Sequence, residues 1–300
     1  MRGADAMRAI TQREIEAFWS DGVVCLRGVV PLDWVDLVAR TMEEWLASPQ
    51  RFDLTLYGVD VAKANGTRAP MGHGSGGSQA GRFYSGTDSW HHFDGLRRFA
   101  CESPLPGIAG SLLRSQRINL YEDSILIKEP GTAEKTFFHQ DISYFHVEGS
   151  QICTAWLPVD PVTQTNGALQ FIKGSHLWAK QFRPNHFVNH APMDGTEGEV
   201  VPDFHVDRRD REILFFDMQP GDLTVHHCRT LHGAPANSSL AMRRRALSVR
   251  YCGDDARYRI RRGAPLKPHH ATVAEGDVLD HPDCPVVWHS PVPGRGFADY

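Results

Sequence analysis

A series of short segments rich in β-branched and aromatic residues, each closed by turn chemistry, sets the tightest limit on how this chain can fold. Ser124 to Lys128 ends at Glu129-Pro130-Gly131. Thr136 to His139 follows, then Ile152 to Val159 and Ala168 to Ile172, with Asn166-Gly167 before the last reading as a hairpin turn. Glu212 to Met218 and Asp222 to Cys228 flank Gln219-Pro220-Gly221, and Arg244 to Tyr251 closes the series. Many short strands with turn signals between them predict a mainly β fold, a sandwich or double-sheet jelly roll. In such a fold, strands distant in sequence lie side by side, so distant residues can share a site.

His139-Gln140-Asp141 is the segment with the most chemistry. An i, i+2 spacing on an extended strand puts both side chains on one face. An imidazole and a carboxylate on one face are two thirds of a facial triad for non-heme Fe(II). The third ligand must come from elsewhere, and His232 in Thr230-Leu231-His232-Gly233 is the candidate. Alone, a His-x-Asp pair is more often accidental than metal-binding, and His232 could be an ordinary turn histidine. His227, on the strand after Pro220-Gly221-Asp222, is the rival; His226, His146 and His176 are further competing histidines. Trp90-His91-His92 and His269-His270 look like metal tracts, although such pairs are more often core or surface residues without a ligand.

The motifs, taken in order, resemble the phytanoyl-CoA dioxygenase family of Fe(II)/2-oxoglutarate oxygenases, which includes ectoine hydroxylases. Lys128-Glu129-Pro130-Gly131 and His139-Gln140-Asp141 with Tyr144-Phe145 match its early blocks. Trp156 through Asp160, Asn166 through Leu169 and Lys173 through His176 match its middle. Pro220-Gly221-Asp222, Leu231-His232-Gly233, Asn237 and Arg244 through Ser248 match its last block. The match is dense from about 115 to 253, weaker over 11 to 45, and poor over 50 to 104, over 178 to 211 and beyond 254.

The resemblance implies a double-stranded β-helix (jelly roll, cupin-like) core with flanking helices, and a hydroxylase that uses Fe(II), 2-oxoglutarate and O2 and releases succinate and CO2. It implies His139, Asp141 and His232 as metal ligands and catalytic residues. The distal carboxylate of 2-oxoglutarate needs a buried cation, and the planar fork of arginine suits it. The resemblance assigns that role to Arg244, with Arg243 as the alternative because strand registers slip by one. Ser248 shares the face of Arg244 by period two, and Lys128 either reaches the co-substrate or ends its strand in solvent. Asp141 favours hydroxylation over halogenation, since related halogenases replace the carboxylate with a small residue. Two other classes stay open: a cupin-type metalloenzyme that needs no 2-oxoglutarate, and a non-catalytic jelly-roll binding module.

The remaining features place the chain in a class. With 300 residues, a net charge of −4 and no long block of like charge, it reads as one elaborated domain spanning 1–300, with no nucleic-acid patch. The jelly-roll core is expected over about 115–253, a helical flank over about 11–114 and an extension over 254–300. Six scattered cysteines without CxxC spacing read as reduced thiols, and no secretory or membrane-spanning run is apparent, which suggests the cytoplasm. Thr11-x-x-Glu14 is a capping box opening a helix to about Ser20, Val23 to Leu26 is a strand, and Leu32 to Ala47 is an amphipathic helix with Leu37, Val38, Met42 and Leu46 near one face. Leu105 to Arg114 is a further helix, residues 64 to 81 a Gly/Ser/Ala-rich loop, and the proline-rich tail from Pro285 a late-packing or loose end. The polar insert 179–211 reads as a lid or as a solvated surface loop. The substrate is a small molecule, and Tyr84, Trp90, Phe138, Tyr144 and Trp156 are candidate pocket walls, each more often core than contact.

Overall fold

A computed structural model describes residues 8–64, 81–208 and 211–291 of the chain. Most of the Gly/Ser/Ala-rich 64–81 stretch, the Arg209-Asp210 pair and the last residues of the tail lie outside the described residues.

Five helices run α1 Gln12–Asp21, α2 Leu32–Ala47, α3 Leu54–Ala64, α4 Asp94–Glu102 and α5 Leu105–Leu113 among the described residues. The strands run β1 Val23–Leu26, β2 Phe52–Asp53, β3 Phe83–Thr87, β4 Arg117–Lys128, β5 Thr136–His139, β6 Val147–Glu148 and β7 Ile152–Pro158. They continue as β8 Gln170–Ile172, β9 Ile213–Phe215, β10 Leu223–His227, β11 His232–Ala234, β12 Arg244–Cys252, β13 Arg257–Tyr258 and β14 Val286–His289. The expected cap is present: the Thr11 side chain accepts from the Glu14 N–H while the Glu14 carboxylate accepts from the Thr11 N–H.

The larger sheet is ordered β1-β10-β7-β12-β4-β3-β2, with β14 added to the start of β4, and the smaller one β5-β11-β8-β9. The expected jelly roll is thus present, with the segments sequence patterning picked out forming its two sheets. Two expectations need correction, and two pairs of alternatives are narrowed. Asn166-Gly167 does not close a hairpin: a 3-10 turn at Gln164–Asn166, ended by Gly167 at φ 98°, carries the chain from β7 in one sheet to β8 in the other. The 50–104 stretch supplies β2, β3, α3 and α4, and its strands extend the larger sheet, so the N-terminal flank is not only helical. The described part of the tail includes β14, paired with β4 rather than loose. The 179–211 insert is not a solvated loop, since Phe182, Val188, Val201 and Phe204 are buried.

The two faces of the larger sheet bury different cores because strand side chains alternate. Ile125 and Ile127 of β4 and Leu247 and Val249 of β12 pack outward against α2, α4 and α5, where Val38, Met42, Trp45, Phe99 and Leu112 are sealed. Leu37 is only half-buried, and Val35 and Trp45 complete the stripe instead. Each such side chain contributes about 1.5–3 kcal/mol by leaving water. Leu126 and Ala246 point the other way and pack with Trp156 and Phe171 between the sheets. The chemistry-bearing residues lie on that inward face.

Candidate metal centre and anion pocket

β5 and β11 are antiparallel neighbours, and their register makes His139 and His232 direct partners. Gly233 follows His232 because β5 crosses close by: a Cβ there would sit 2.7 Å from the Thr136 carbonyl oxygen. β5 ends at His139, and Asp141 opens a 3-10 turn rather than continuing the strand. The intervening Gln140 keeps extended dihedrals of φ −104° and ψ 130°, so the expected shared face survives. His139 Nε2 and His232 Nε2 lie 3.6 and 3.7 Å from Asp141 Oδ1.

Both imidazoles are oriented from behind. His139 Nδ1 donates to the Phe137 carbonyl at 2.8 Å, and His232 Nδ1 to the Thr230 carbonyl at 3.0 Å, which leaves each Nε2 lone pair facing the carboxylate. Asp141 Oδ2 accepts from Thr154 Oγ1 at 2.5 Å and from His226 Nε2 at 3.2 Å, so Oδ1 faces the two histidines. Burial alone would raise the Asp141 carboxyl, but His232, His139 and His226 outweigh it and hold the group well below the usual carboxylate range. Burial, reinforced by the neighbouring rings, holds His232 well below the usual imidazole range. One ionised carboxylate and the two imidazole Nε2 atoms that face it make a donor set ready for a divalent metal.

His226 and Thr154 were not singled out from sequence as site residues. The signal was period two: on β10, His226 faces inward, whereas His227 faces outward against Phe18 and Trp19 and reaches the Ser150 carbonyl at 2.9 Å. The rival ligand His227 is therefore away from the cluster. His146 and His176 lie elsewhere too, bonded to the carbonyls of Pro265 and Trp19.

The larger sheet brings Arg244 and Lys128 opposite each other, with Ser248 opposite Ser124 on the same face. Arg244 is 1% exposed and Lys128 is fully buried, so the solvated-strand-end reading of Lys128 fails. Lys128 Nζ donates to the carbonyls of Glu134 (2.9 Å) and Pro235 (2.6 Å). The Arg244 guanidinium stands 5.5 Å from the Trp156 ring, and its Nε has no hydrogen-bond partner. Gly167, at φ 98°, passes beside both, since a Cβ there would lie 3.5 Å from Lys128 Cδ and 3.6 Å from Arg244 Nη2. Arg243 instead points outward to Glu43 and Glu129. Asn237 ties this corner together by donating to the Lys128, Glu129 and Met242 carbonyls.

A cavity of about 490 Å³ opens onto His139 and Asp141. Leu54, Leu126, Tyr144, Phe187 and Met193 supply much of its apolar wall, and Glu122, Arg250 and Lys267 its charge. Of the expected aromatic walls only Tyr144 lines it; Tyr84 and Trp90 belong to the outer core, while Phe138 and Trp156 pack in inner clusters. Phe187 and Met193 come from the 179–211 insert, and Phe187 holds a left-handed φ of 64° where its carbonyl accepts the Phe137 N–H.

Comparison with known proteins agrees with this geometry. Among curated relatives, a probable phytanoyl-CoA dioxygenase of Caenorhabditis elegans is 30% identical over 121 residues, covering 39% of this chain and 36% of that protein. A probable alpha-ketoglutarate-dependent hypophosphite dioxygenase of Stutzerimonas stutzeri is 28% identical over 152 residues, 47% of each. The chain thus matches between about a third and a half of the length of these relatives. The non-heme alpha ketoglutarate dependent carbocyclase SnoK of nogalamycin biosynthesis shares the fold, with a TM-score of 0.68 at 24% identity over 95% of this chain and 100% of that one. The sequence pattern of one family, described as phytanoyl-CoA dioxygenase (PhyH), matches residues 18–246. With that match across most of its length, the chain belongs to the phytanoyl-CoA dioxygenase (PhyH) family.

Proposed function

We propose that the chain is a non-heme Fe(II)- and 2-oxoglutarate-dependent dioxygenase that hydroxylates a small organic molecule, with release of succinate and CO2. One observation carries this reading beyond the fold: the sealed Arg244 guanidinium with its unpartnered Nε, on the inward face of the sheet and in the same molecule as the His139/Asp141/His232 cluster. A buried cation without a matching anion is costly, and a ligand carboxylate relieves that cost.

The residues fit both groups. His139 and His232 would hold iron through Nε2 and Asp141 through Oδ1, three donors on one side that leave positions for co-substrate and oxygen. Bound iron, with 2-oxoglutarate and O2, supplies the oxidising power for attack on a C–H bond. Thr154 and His226 keep the carboxylate turned. Arg244 would take the distal carboxylate, with Lys128 beside it and Ser248 on the same face. Leu54, Tyr144 and Phe187 would exclude water from the cavity, and its charged wall at Arg250 and Lys267 would orient a polar group on the substrate. Asp141 occupies the position a halide would need, which supports hydroxylation.

We read the chain as one working unit over 1–300, with its jelly-roll core at about 115–253, its flank at about 11–114 and its extension at 254–300. No helix among the described residues is long and apolar enough to cross a membrane, and all six cysteines are free thiols. The thiols support a cytoplasmic setting.

The test is an anaerobic titration of metal-stripped protein with Fe(II) and then 2-oxoglutarate, followed by visible absorption. A weak charge-transfer band that needs both additions, and weakens in Arg244→Ala, is expected. Iron binding without that band would overturn the 2-oxoglutarate reading and favour a cupin-type oxygenase. No iron binding would leave a non-catalytic binding module.

A further inference from the structure

Two histidine tracts that stand out in the sequence, Trp90-His91-His92 and His269-His270, lie outside the jelly-roll motifs and far apart in the chain. The fold brings them together. His91 closes a 3-10 turn after β3, and His269 sits in a 3-10 turn of the C-terminal extension at Pro268–Ala271. Both approach Asp283. His269 Nδ1 lies 3.2 Å from Asp283 Oδ2, His281 Nδ1 lies 3.7 Å from the same oxygen, and His91 Nε2 lies 3.9 Å from Oδ1. Ligand atoms of His269, His281 and Asp283 all fall within 4.8 Å of one another.

The plainer account is a core histidine salt-bridged to a carboxylate. It leaves an anomaly. His269 is 4% exposed, and its Nδ1 lies 3.2 Å from the Asp283 carboxylate without the alignment of a hydrogen bond. A buried polar atom left without an aligned hydrogen bond is rare and costly. On its other edge, His269 Nε2 lies 3.9 Å from Cys284 Sγ. A proton on Nε2 directed at that sulfur leaves the Nδ1 lone pair on the Asp283 side, the arrangement of a metal-bound imidazole. Donors around a tetrahedral ion with bonds of about 2.0–2.1 Å are separated by roughly 3.4 Å. The spacings of 3.2 and 3.7 Å to Asp283 Oδ2 bracket that value.

We propose that His269, His281 and Asp283 form a second divalent-metal site of the zinc class. Imidazole and carboxylate donors in a compact set suit Zn(II). His281 Nδ1 accepts the Asp283 N–H at 3.1 Å, and ligation replaces that one bond. The site ties the turn at Pro268–Ala271 to the later part of the C-terminal extension that carries His281 and Asp283. Pro265, Leu266, Lys267 and His270, from the same stretch as His269, line the cavity above His139 and Asp141. The ion therefore fixes one wall of the substrate cavity without entering it. The proposal does not depend on which metal or co-substrate the other cluster takes.

Metal-stripped, tag-free protein is titrated with Co(II) under anaerobic conditions, with bound metal counted after desalting. Asp283→Asn is expected to retain one equivalent fewer than wild type and to lose the strong visible absorption of tetrahedral cobalt. Asp141→Ala is expected to keep that absorption. Zn(II) is expected to raise the melting temperature of wild type and Asp141→Ala, but not of Asp283→Asn. Circular dichroism checks folding, and the half-exposed His281→Ala gives the same reading should Asp283→Asn fold poorly. Equal cobalt uptake by wild type and both variants, or loss of the tetrahedral band in Asp141→Ala rather than in them, overturns the proposal.

Discussion

Lys128 and Arg244 are direct cross-strand partners on β4 and β12, two cations side by side in the interior. Like charges opposite each other destabilise a sheet. Burial first, then Arg244, holds the Lys128 ammonium well below the usual lysine range, while burial lowers Arg244 to about 10 against the weak pull of Asp160. Lys128 is offset by two carbonyls, but Arg244 keeps an unpartnered Nε, so this pair stores a cost that an anionic ligand would remove.

Arg244→Met should separate stability from binding. Removing an unpaired buried charge is expected to leave the ligand-free protein as stable or more so, by up to about 4 kcal/mol. The same change should weaken 2-oxoglutarate by about 2 kcal/mol or more, roughly 30-fold, since the ligand's carboxylate loses its partner. Calorimetric melting with and without 2-oxoglutarate reads both effects. Arg243→Met, on the outward face, should leave 2-oxoglutarate binding unchanged while costing stability, because it strips the buried Glu129 carboxylate of its partner; loss of 2-oxoglutarate in that variant would shift the register by one.

Thr154→Val and His226→Gln keep the shape of the site but release Asp141 Oδ2. Fe(II) affinity is expected to fall by about 10–100-fold in each, and Asp141→Ala should abolish it. Anaerobic competition with a chromophoric chelator measures this series. Unchanged affinity in both Thr154→Val and His226→Gln would mean that the carboxylate needs no such support.

Gly233→Ala puts a Cβ 2.7 Å from the Thr136 carbonyl oxygen, between the two strands that carry His139 and His232. A stability loss of about 1–3 kcal/mol is expected from this crowding, along with weakened iron binding as the histidines separate. Urea unfolding gives the first quantity and metal titration the second. Gly131→Ala, where no atom lies within 4 Å, should leave iron binding intact.

Asp123 faces the outer core and is fully buried, with no well-aligned hydrogen bond to either carboxylate oxygen. Burial, aided by Asp88 and Glu122, raises it to about 7 against the opposing pull of the Trp90 backbone N–H and of Arg250. The folded state therefore binds its proton more tightly than the unfolded chain, whose aspartate titrates near pH ~3.9. Stability should fall as pH rises from about 4 to about 7 and then level off, a loss on the order of a few kcal/mol. Asp123→Asn should flatten that profile in urea unfolding at pH 5 and pH 8, and a slope equal to wild type would falsify the assignment.

Much of the site can be read from sequence because its parts are local. His139 and Asp141 share a face through one extended residue, and a glycine must follow His232 where β5 passes close by. Alternation along β12 sets Arg244 inward and Arg243 outward once the strand's register is known. The β-branched runs and turns marked most strands of both sheets, and the Thr11-Glu14 box marked the first helix. What failed was non-local. The strands β2, β3 and β14 carry no strong pattern and exist because β3 and β14 complete the edge of β4 and β2 extends it through β3. The link after Asn166 looks like a hairpin until the two sheets separate.

The sequence by itself determined the fold class, the identity of the His139, Asp141 and His232 trio, and a cationic strand to follow them, because strand period and motif order are properties of neighbouring residues. Only the tertiary structure decided that His226 rather than His227 turns to Asp141, that Lys128 is buried against Arg244, and that His91 and His269 meet at Asp283. Each of these depends on pairing between strands or turns remote in sequence, where register and burial, not local propensity, choose which side chains meet.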